Sequence, residues 1–260
     1  MRGAMLIDIN AWFGHWPFQR FDIKTIKDLE THLDAHDIRA ALVSHLGTVF
    51  YQDPHPYNLE LLRACRRSEA LTAVPVINPH LNRWQDVLAV YVDQGVRTIR
   101  VIPSFHNYKP YTRQVFDLVE ALAERDIRLI IQMRMEDERD RYFALNIYGP
   151  KVKQIVRLAD RFPDFGFVCT NVYLPEAKEL GKQTDNVYVD VSFAEWIFTM
   201  EEMISELGPD RIFFGSHTPL LYTLPTVMKL MDSGIQQTVK EQIAVRNAER
   251  FFGIGQPTFP

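Results

Sequence analysis

The sequence predicts an α/β chain folded as a single-domain (β/α)8 barrel, the TIM barrel, and three observations carry that prediction. Eight short apolar runs of strand character alternate with helical segments along the chain. Repeated strand–helix units require parallel pairing with right-handed crossovers. Eight such units in 260 residues, with no linker or low-complexity break, match one closed barrel over 1–260. An open doubly wound sheet is the alternative, but no glycine-rich turn after the first strand supports it.

Taken in order, Leu6, Ile7 and Ile9 surround polar Asp8 and Asn10 in the first strand. Period-two geometry places Asp8, Asn10 and Trp12 on one face. Buried polar groups need partners, so that face either lines a site or spends Asp8 on backbone donors and Asn10 on a turn. The aromatic loop 13–18 follows, then a helix over 24–36 with Ile26, Leu29 and Leu33 at helical spacing. Arg39–Val43 is the second strand, ending at Ser44-His45, and Asn58–Ser68 the next helix. Thr72–Ile77 is the third strand, closed by Asn78-Pro79-His80, and Arg83–Gln94 is a helix stopped by Gly95.

The alternation continues with strands at Val96–Ile102, Arg128–Met133, Gly166–Thr170, Asn186–Val191 and Arg211–Phe214. Helices fall at Tyr111–Arg125, Tyr148–Phe162, Pro175–Gly181 and Glu195–Leu207, with two more near 220–233 and 236–251.

With 47% hydrophobic and 24% charged residues, the chain reads as an ordinary globular protein. Its net charge of −4, with scattered Lys and Arg, argues against a nucleic-acid or membrane-surface partner. No apolar run has spanning length and no secretion signal is present, so the expected location is cytoplasmic. Cys65 and Cys169, outside any CxxC pair, fit a reducing compartment.

In a barrel of this kind the site lies at the C-terminal strand ends. Those ends carry Asn10 and Trp12, His45, Asn78 with His80, Arg100, Gln132 with Arg134, Asn171, Asp190 with Ser192, and His217. Each has an innocent alternative. Asn78-Pro79 is a turn signal, His45 and His80 suit loops, and Arg100 and Arg134 can pair with acids such as Glu136 and Asp137. Their convergence on one rim favours a site.

The chain resembles the amidohydrolase-related (amidohydrolase type 2) family of the metal-dependent hydrolase superfamily. The segments that carry the resemblance are Ile7-Asp8-Ile9-Asn10, Val96–Arg100, 186–192, 211–219 and 247–253. That family includes decarboxylases of the aminocarboxymuconate-semialdehyde type and sugar or dicarboxylate lactonases. The resemblance implies an opening Asp-x-His-x-His, yet here Asn10 and Trp12 hold the histidine positions. Gln132 and Asn171 stand for the strand-five and strand-six histidines, and His217 for the strand-eight aspartate. Neutral amide oxygens are poor zinc donors and tryptophan is none, so the expectation is no catalytic metal and no cofactor. His15, His45 and His80 are the residues from which a metal site could be rebuilt.

The expected chemistry follows from what remains. His217 is the proposed general acid or base, oriented by a neighbour such as Asp8. Asn10, Gln132 and Asn171 would hold a carbonyl or hydroxyl, Arg100 and Arg134 an anionic group, and Trp12, Trp16 and Phe13 an apolar wall, with His45 a further substrate-binding residue. Metal-independent hydrolysis of a lactone or carboxylate-bearing ring leads. A metal-free lyase or isomerase moving a proton beside a carbonyl, and a non-catalytic binding barrel, stand behind it. A homodimer paired through outer helices is implied by the resemblance alone.

Overall fold

The computed structural model describes residues 5–139 and 147–254. Strands β1 (Leu6–Phe13), β2 (Ile38–His45) and β3 (Leu71–Ala73) pair in parallel in that order. Strands β4 (Thr98–Val101), β5 (Arg128–Gln132), β6 (Phe167–Thr170), β7 (Val187–Asp190) and β8 (Ile212–Phe213) form a second parallel set, also in chain order. Pro75 has no N–H to give, so the β3 ladder stops before it. The chain then rejoins β4 through Arg100 N donating to Pro75 O and Ile77 N donating to Arg100 O, each at 2.9 Å. Closure comes from Ile9 N to Phe214 O at 3.1 Å and Trp12 N to Thr218 O at 2.8 Å. The result is the expected single-domain barrel.

Helices α1 (Ile26–Asp34), α2 (Gly47–Phe50), α3 (His55–Cys65), α4 (Trp84–Asp93) and α5 (Arg113–Ala123) lie in the connections between the first five strands. Helices α6 (Val152–Arg161), α7 (Leu174–Gln183), α8 (Thr199–Leu207) and α9 (Thr223–Met231) continue the ring. Thr25 starts α1 with a reciprocal cap to Asp28, and Leu29 and Leu33 bury its inner stripe. Gly181 does not end α7 as expected. A Cβ there would meet the Glu206 carbonyl oxygen at 2.7 Å, so glycine marks where α7 and α8 close on each other. The expected last helix is broken: α10 (Gln237–Glu241) passes through a π turn at 242–246 into α11 (Asn247–Phe252). The Ile243 carbonyl in that turn accepts from Phe214 N at 3.1 Å, joining the helix to the end of β8. Among the described residues no helix is long and apolar enough to cross a membrane.

The interior is layered. Ile7, Ile9, Leu42, Ile130, Val168 and Phe213 fill the end nearest the strand starts, with Ala248 and Phe252 of α11 beneath them. Hydrogen bonds join Asn10, Arg100, Gln132, Thr170 and Asn171 into a buried polar layer beside it. Above it lie Trp12, Trp16, Leu46, Val76, Ile102 and Met135, an apolar cap joined by partly buried Phe50 and Phe105.

Candidate active site

The polar layer is a lattice in which few groups are left over. Asn10 donates through Nδ2 to Asn171 Oδ1 at 2.6 Å and Asp190 Oδ2 at 2.8 Å. Its Oδ1 accepts from Trp12 Nε1 at 3.0 Å and from an Arg100 terminal nitrogen at 2.7 Å. The same Arg100 nitrogen donates to Gln132 Oε1 at 2.5 Å, which also accepts from Thr170 Oγ1 at 2.8 Å. Asn171 Oδ1 takes a further bond from Ser192 Oγ at 3.1 Å. The Arg100 guanidinium lies 4.4 Å from the Trp12 ring centre. Asn10 and Trp12 of β1, Arg100 of β4, Gln132 of β5 and Asn171 after β6 are therefore brought together.

The expected face sharing along β1 holds only in part. Asp8 lies before an irregularity in the β1–β2 register, between Asp8 and Ala11. Its carboxylate accepts from Asn10 N at 2.9 Å, Ser216 N at 3.0 Å and Ser216 Oγ at 2.5 Å. Asp8 thus ties β1 to the segment after β8, and the expected Asp8–His217 pairing is absent. Instead His217 donates from Nε2 to the Met135 carbonyl at 2.8 Å. A carbonyl only accepts, so the proton sits on Nε2 and Nδ1 presents a lone pair. That Nδ1 is buried without a partner. Trp12 and Phe193 meet the imidazole edge-on, with ring centres 6.3 and 5.6 Å away.

Two residues of this layer hold a backbone shape that L side chains rarely adopt, Asn171 at φ 60° and His217 at φ 57°. Such positions recur at functional sites, where surrounding bonds hold them. Burial also governs charge. It pushes the Asp190 carboxyl up to about 6, raises Asp8, and lowers Arg100 to about 9, so Arg100 stays a cation at neutral pH. Burial drives His217 down to about 3, with the Arg100 charge adding to the same direction. His217 is a neutral imidazole at physiological pH.

Two expected ligand contacts are taken up within the protein. Arg134 makes a two-pronged pair with Glu176 at 2.6 and 2.7 Å, also reaches the Asn171 carbonyl, and lies 4.0 Å over Tyr173. Its partners are Glu176 and Glu138, not the sequence neighbours Glu136 and Asp137. The forked anion clamp expected of Arg134 is closed by that pairing. His45 stands outside the lattice: Nδ1 accepts from Gly47 N at 2.9 Å and Nε2 lies 3.5 Å from Glu60. Asp190 and Ser192, read at a strand end but given no role there, complete the site with Thr170 and Ser216, which the reading of strand ends does not include. Asp190 is visible in sequence because it ends β7, whereas Glu176 lies in a helix and gives no such signal.

The residues present do not fit the divalent ion that the resemblance implies. Each amide oxygen at a matched position already accepts two hydrogen bonds, Arg100 brings a positive charge into their midst, and His217 gives Nε2 to a carbonyl. Among the described residues no three His, Cys, Asp or Glu side chains cluster as a metal site. His80 stacks on Tyr108 and His15 is exposed, so neither rebuilds one with His45.

Comparison with known proteins agrees with this architecture. The 5-carboxyvanillate decarboxylase of Sphingomonas paucimobilis superposes with a TM-score of 0.77 at 15% identity, covering 97% of this chain and 100% of that one. The Novosphingobium aromaticivorans 5-carboxyvanillate decarboxylase, solved with manganese and 4-hydroxy-3-methoxy-5-nitrobenzoic acid, gives 0.78 at 14% identity, covering 97% of each chain. The 2,6-dihydroxybenzoate decarboxylase from Rhizobium gives 0.73 at 15%, covering 97% of this chain and 99% of that one. At such identities the likeness is one of fold. No curated protein matches in sequence. The amidohydrolase family model matches residues 86–254, well over half of the sequence and including β4 through α11, and the chain belongs to that family.

Proposed function

We propose that this protein is a metal-independent lyase that removes carbon dioxide from a small carboxylate-bearing ring, with His217 carrying the proton. The observation that carries this reading is the His217 Nδ1 lone pair, buried, unpartnered and fixed in its tautomer by Met135. In the reaction Nδ1 takes the acidic proton of the substrate and returns it to the ring carbon that bears the carboxylate. The bond from that carbon to the carboxylate then breaks. Its electron pair restores the ring, carbon dioxide leaves, hydrogen takes its place, and His217 is neutral again. An imidazolium whose ordinary acidity is strengthened by burial favours delivery to carbon. Arg100 Nε, buried and unpartnered, is a donor of that guanidinium left for a substrate oxygen.

The sequence alone puts lactone hydrolysis first. The site supports it less, because hydrolysis requires water to reach His217 beneath the aromatic cap, whereas decarboxylation uses the substrate's own proton. The fold shared with decarboxylases of aromatic acids points the same way. A cleft of about 1140 Å³ lined by Tyr148, Tyr173, Phe193 and Trp196 suits a flat ring, and Phe193 also touches His217. Truncating Phe193→Ala should raise KM at least severalfold by removing one wall of that cleft; an unchanged KM would move the substrate elsewhere.

The test is carbon dioxide release from a panel of hydroxybenzoic acids, run in D2O with and without EDTA. Wild-type turnover should survive EDTA and place deuterium at the vacated carbon, and His217→Ala should lose about 10²–10⁴-fold. Turnover abolished by EDTA and restored by manganese would refute the reading, as would a fully active His217→Ala. One observation favours a second reading, binding without turnover: Trp12, Arg100 and His217 are wholly buried. Ligand affinity unmatched by product would support it.

We further propose a cytoplasmic home and a second copy of the chain as partner. The two buried free thiols suit the first. Exposed Trp196, Ile197 and Phe198 ahead of α8 support the second, and sedimentation velocity checks it.

A further inference from the structure

We propose that the Arg100 guanidinium is the resident cation of this barrel, standing in the place of a divalent ion and balancing the charge of the same layer. Two amide oxygens at metal-ligand positions of the resemblance, Asn10 Oδ1 and Gln132 Oε1, converge on one Arg100 nitrogen at 2.7 and 2.5 Å. The other terminal nitrogen reaches the Ile9 carbonyl at 3.4 Å, so the guanidinium is held from three sides. Trp12, at a third matched position, lays its ring 4.4 Å from the cation instead of offering a donor atom.

The charge around it fits a cation. Asp190 is bound to Asn10, the residue that also binds Arg100, and Asp8 lies two residues from Asn10 on β1. Both carboxyls and Arg100 are fully buried. Buried charges persist when paired and hydrogen-bonded, and a guanidinium is more weakly hydrated than an ammonium and presents a planar set of donors. A divalent ion entering this layer would have to expel a fixed positive charge. The substitution of histidines by amides then has a reason: an amide oxygen accepts from a guanidinium, which an imidazole bound to a metal does not.

This inference is separate from the reaction proposed above, because its test reads stability and metal binding, not turnover. Thermal denaturation of Arg100→Ala, Arg100→Lys and Arg100→Met is measured with millimolar guanidinium chloride, and with sodium chloride or urea at the same concentration. Arg100→Ala should melt about 10 °C below wild type. Guanidinium should restore about half of that loss, while sodium and urea restore none. Arg100→Lys should melt above Arg100→Met. Guanidinium no better than sodium chloride, or Arg100→Met at or above Arg100→Lys, would overturn the inference. If Arg100→Ala does not fold, the Lys–Met order decides. Wild type titrated with manganese should show no ion contacting Asn10 or Gln132, and such an ion in a crystal would overturn it equally.

Discussion

His217 shows how one residue's surroundings decide its chemistry. The Met135 carbonyl fixes the proton on Nε2, and burial keeps the ring neutral. The same burial has a consequence for stability. In the unfolded chain His217 takes up a proton near 6.5, but in the folded chain only near 3. Between those values the folded state binds fewer protons, so stability present above pH 6.5 is lost as pH falls toward 3. The full loss is about 5 kcal/mol. Asp190 acts in the opposite sense. Its folded value near 6 exceeds the ordinary 3.8, so acidification through that window favours the fold. His217→Asn removes the first effect and leaves the second. Urea melts from pH 7 to 4 should show the variant losing less stability than wild type; parallel losses would mean that the imidazole is not held neutral.

At the scale of elements, the segment after β8 is where the site is assembled. Ser216 binds Asp8 of β1, His217 reaches Met135 beyond β5, and Gly215 passes close to β7 and β1. A Cβ at Gly215 would lie 2.6 Å from Asp190 Oδ2 and 3.1 Å from Asn10 Cβ. Gly215→Ala should therefore cost about 2 kcal/mol and lower the melting temperature by about 5 °C. A variant as stable as wild type would show that the lattice is looser than described. The strand-to-helix alternation was legible in the sequence because each strand is a short apolar run between helical periods. Gln132 and Asn171 were legible as site positions because each lies at or just after a strand end, and Asn10 because it is a polar residue inside the apolar run of β1. The Asp8–Ala11 irregularity was not, since it depends on pairing with β2 rather than on local pattern. Arg134 looked like an anion clamp for a similar reason: its partner Glu176 lies 42 residues away, on α7.

For the whole molecule, the layered interior sets what chemistry is open to it. Phe252 of α11 plugs the barrel below, and the Trp12–Trp16 cap closes it above, so the polar layer works in a dry medium where fixed charges count for more. Phe252→Ala should cost about 3–5 kcal/mol through the cavity it leaves, read as a lower urea midpoint with an unchanged slope. His45 marks the limit of reading a site from strand ends: it ends β2 yet turns to Gly47 and Glu60, outside the layer. Residue type at a rim position is visible in sequence, but which way the side chain turns depends on neighbours many residues away.

The central claim is that this amidohydrolase-family barrel balances its buried layer with its own side chains and needs no divalent ion. Elemental analysis of protein produced in medium supplemented with zinc and manganese tests it most directly. Metal should stand far below one equivalent per chain after gel filtration. One full equivalent, retained through gel filtration and lost on replacing His217 or Asp190, would contradict it.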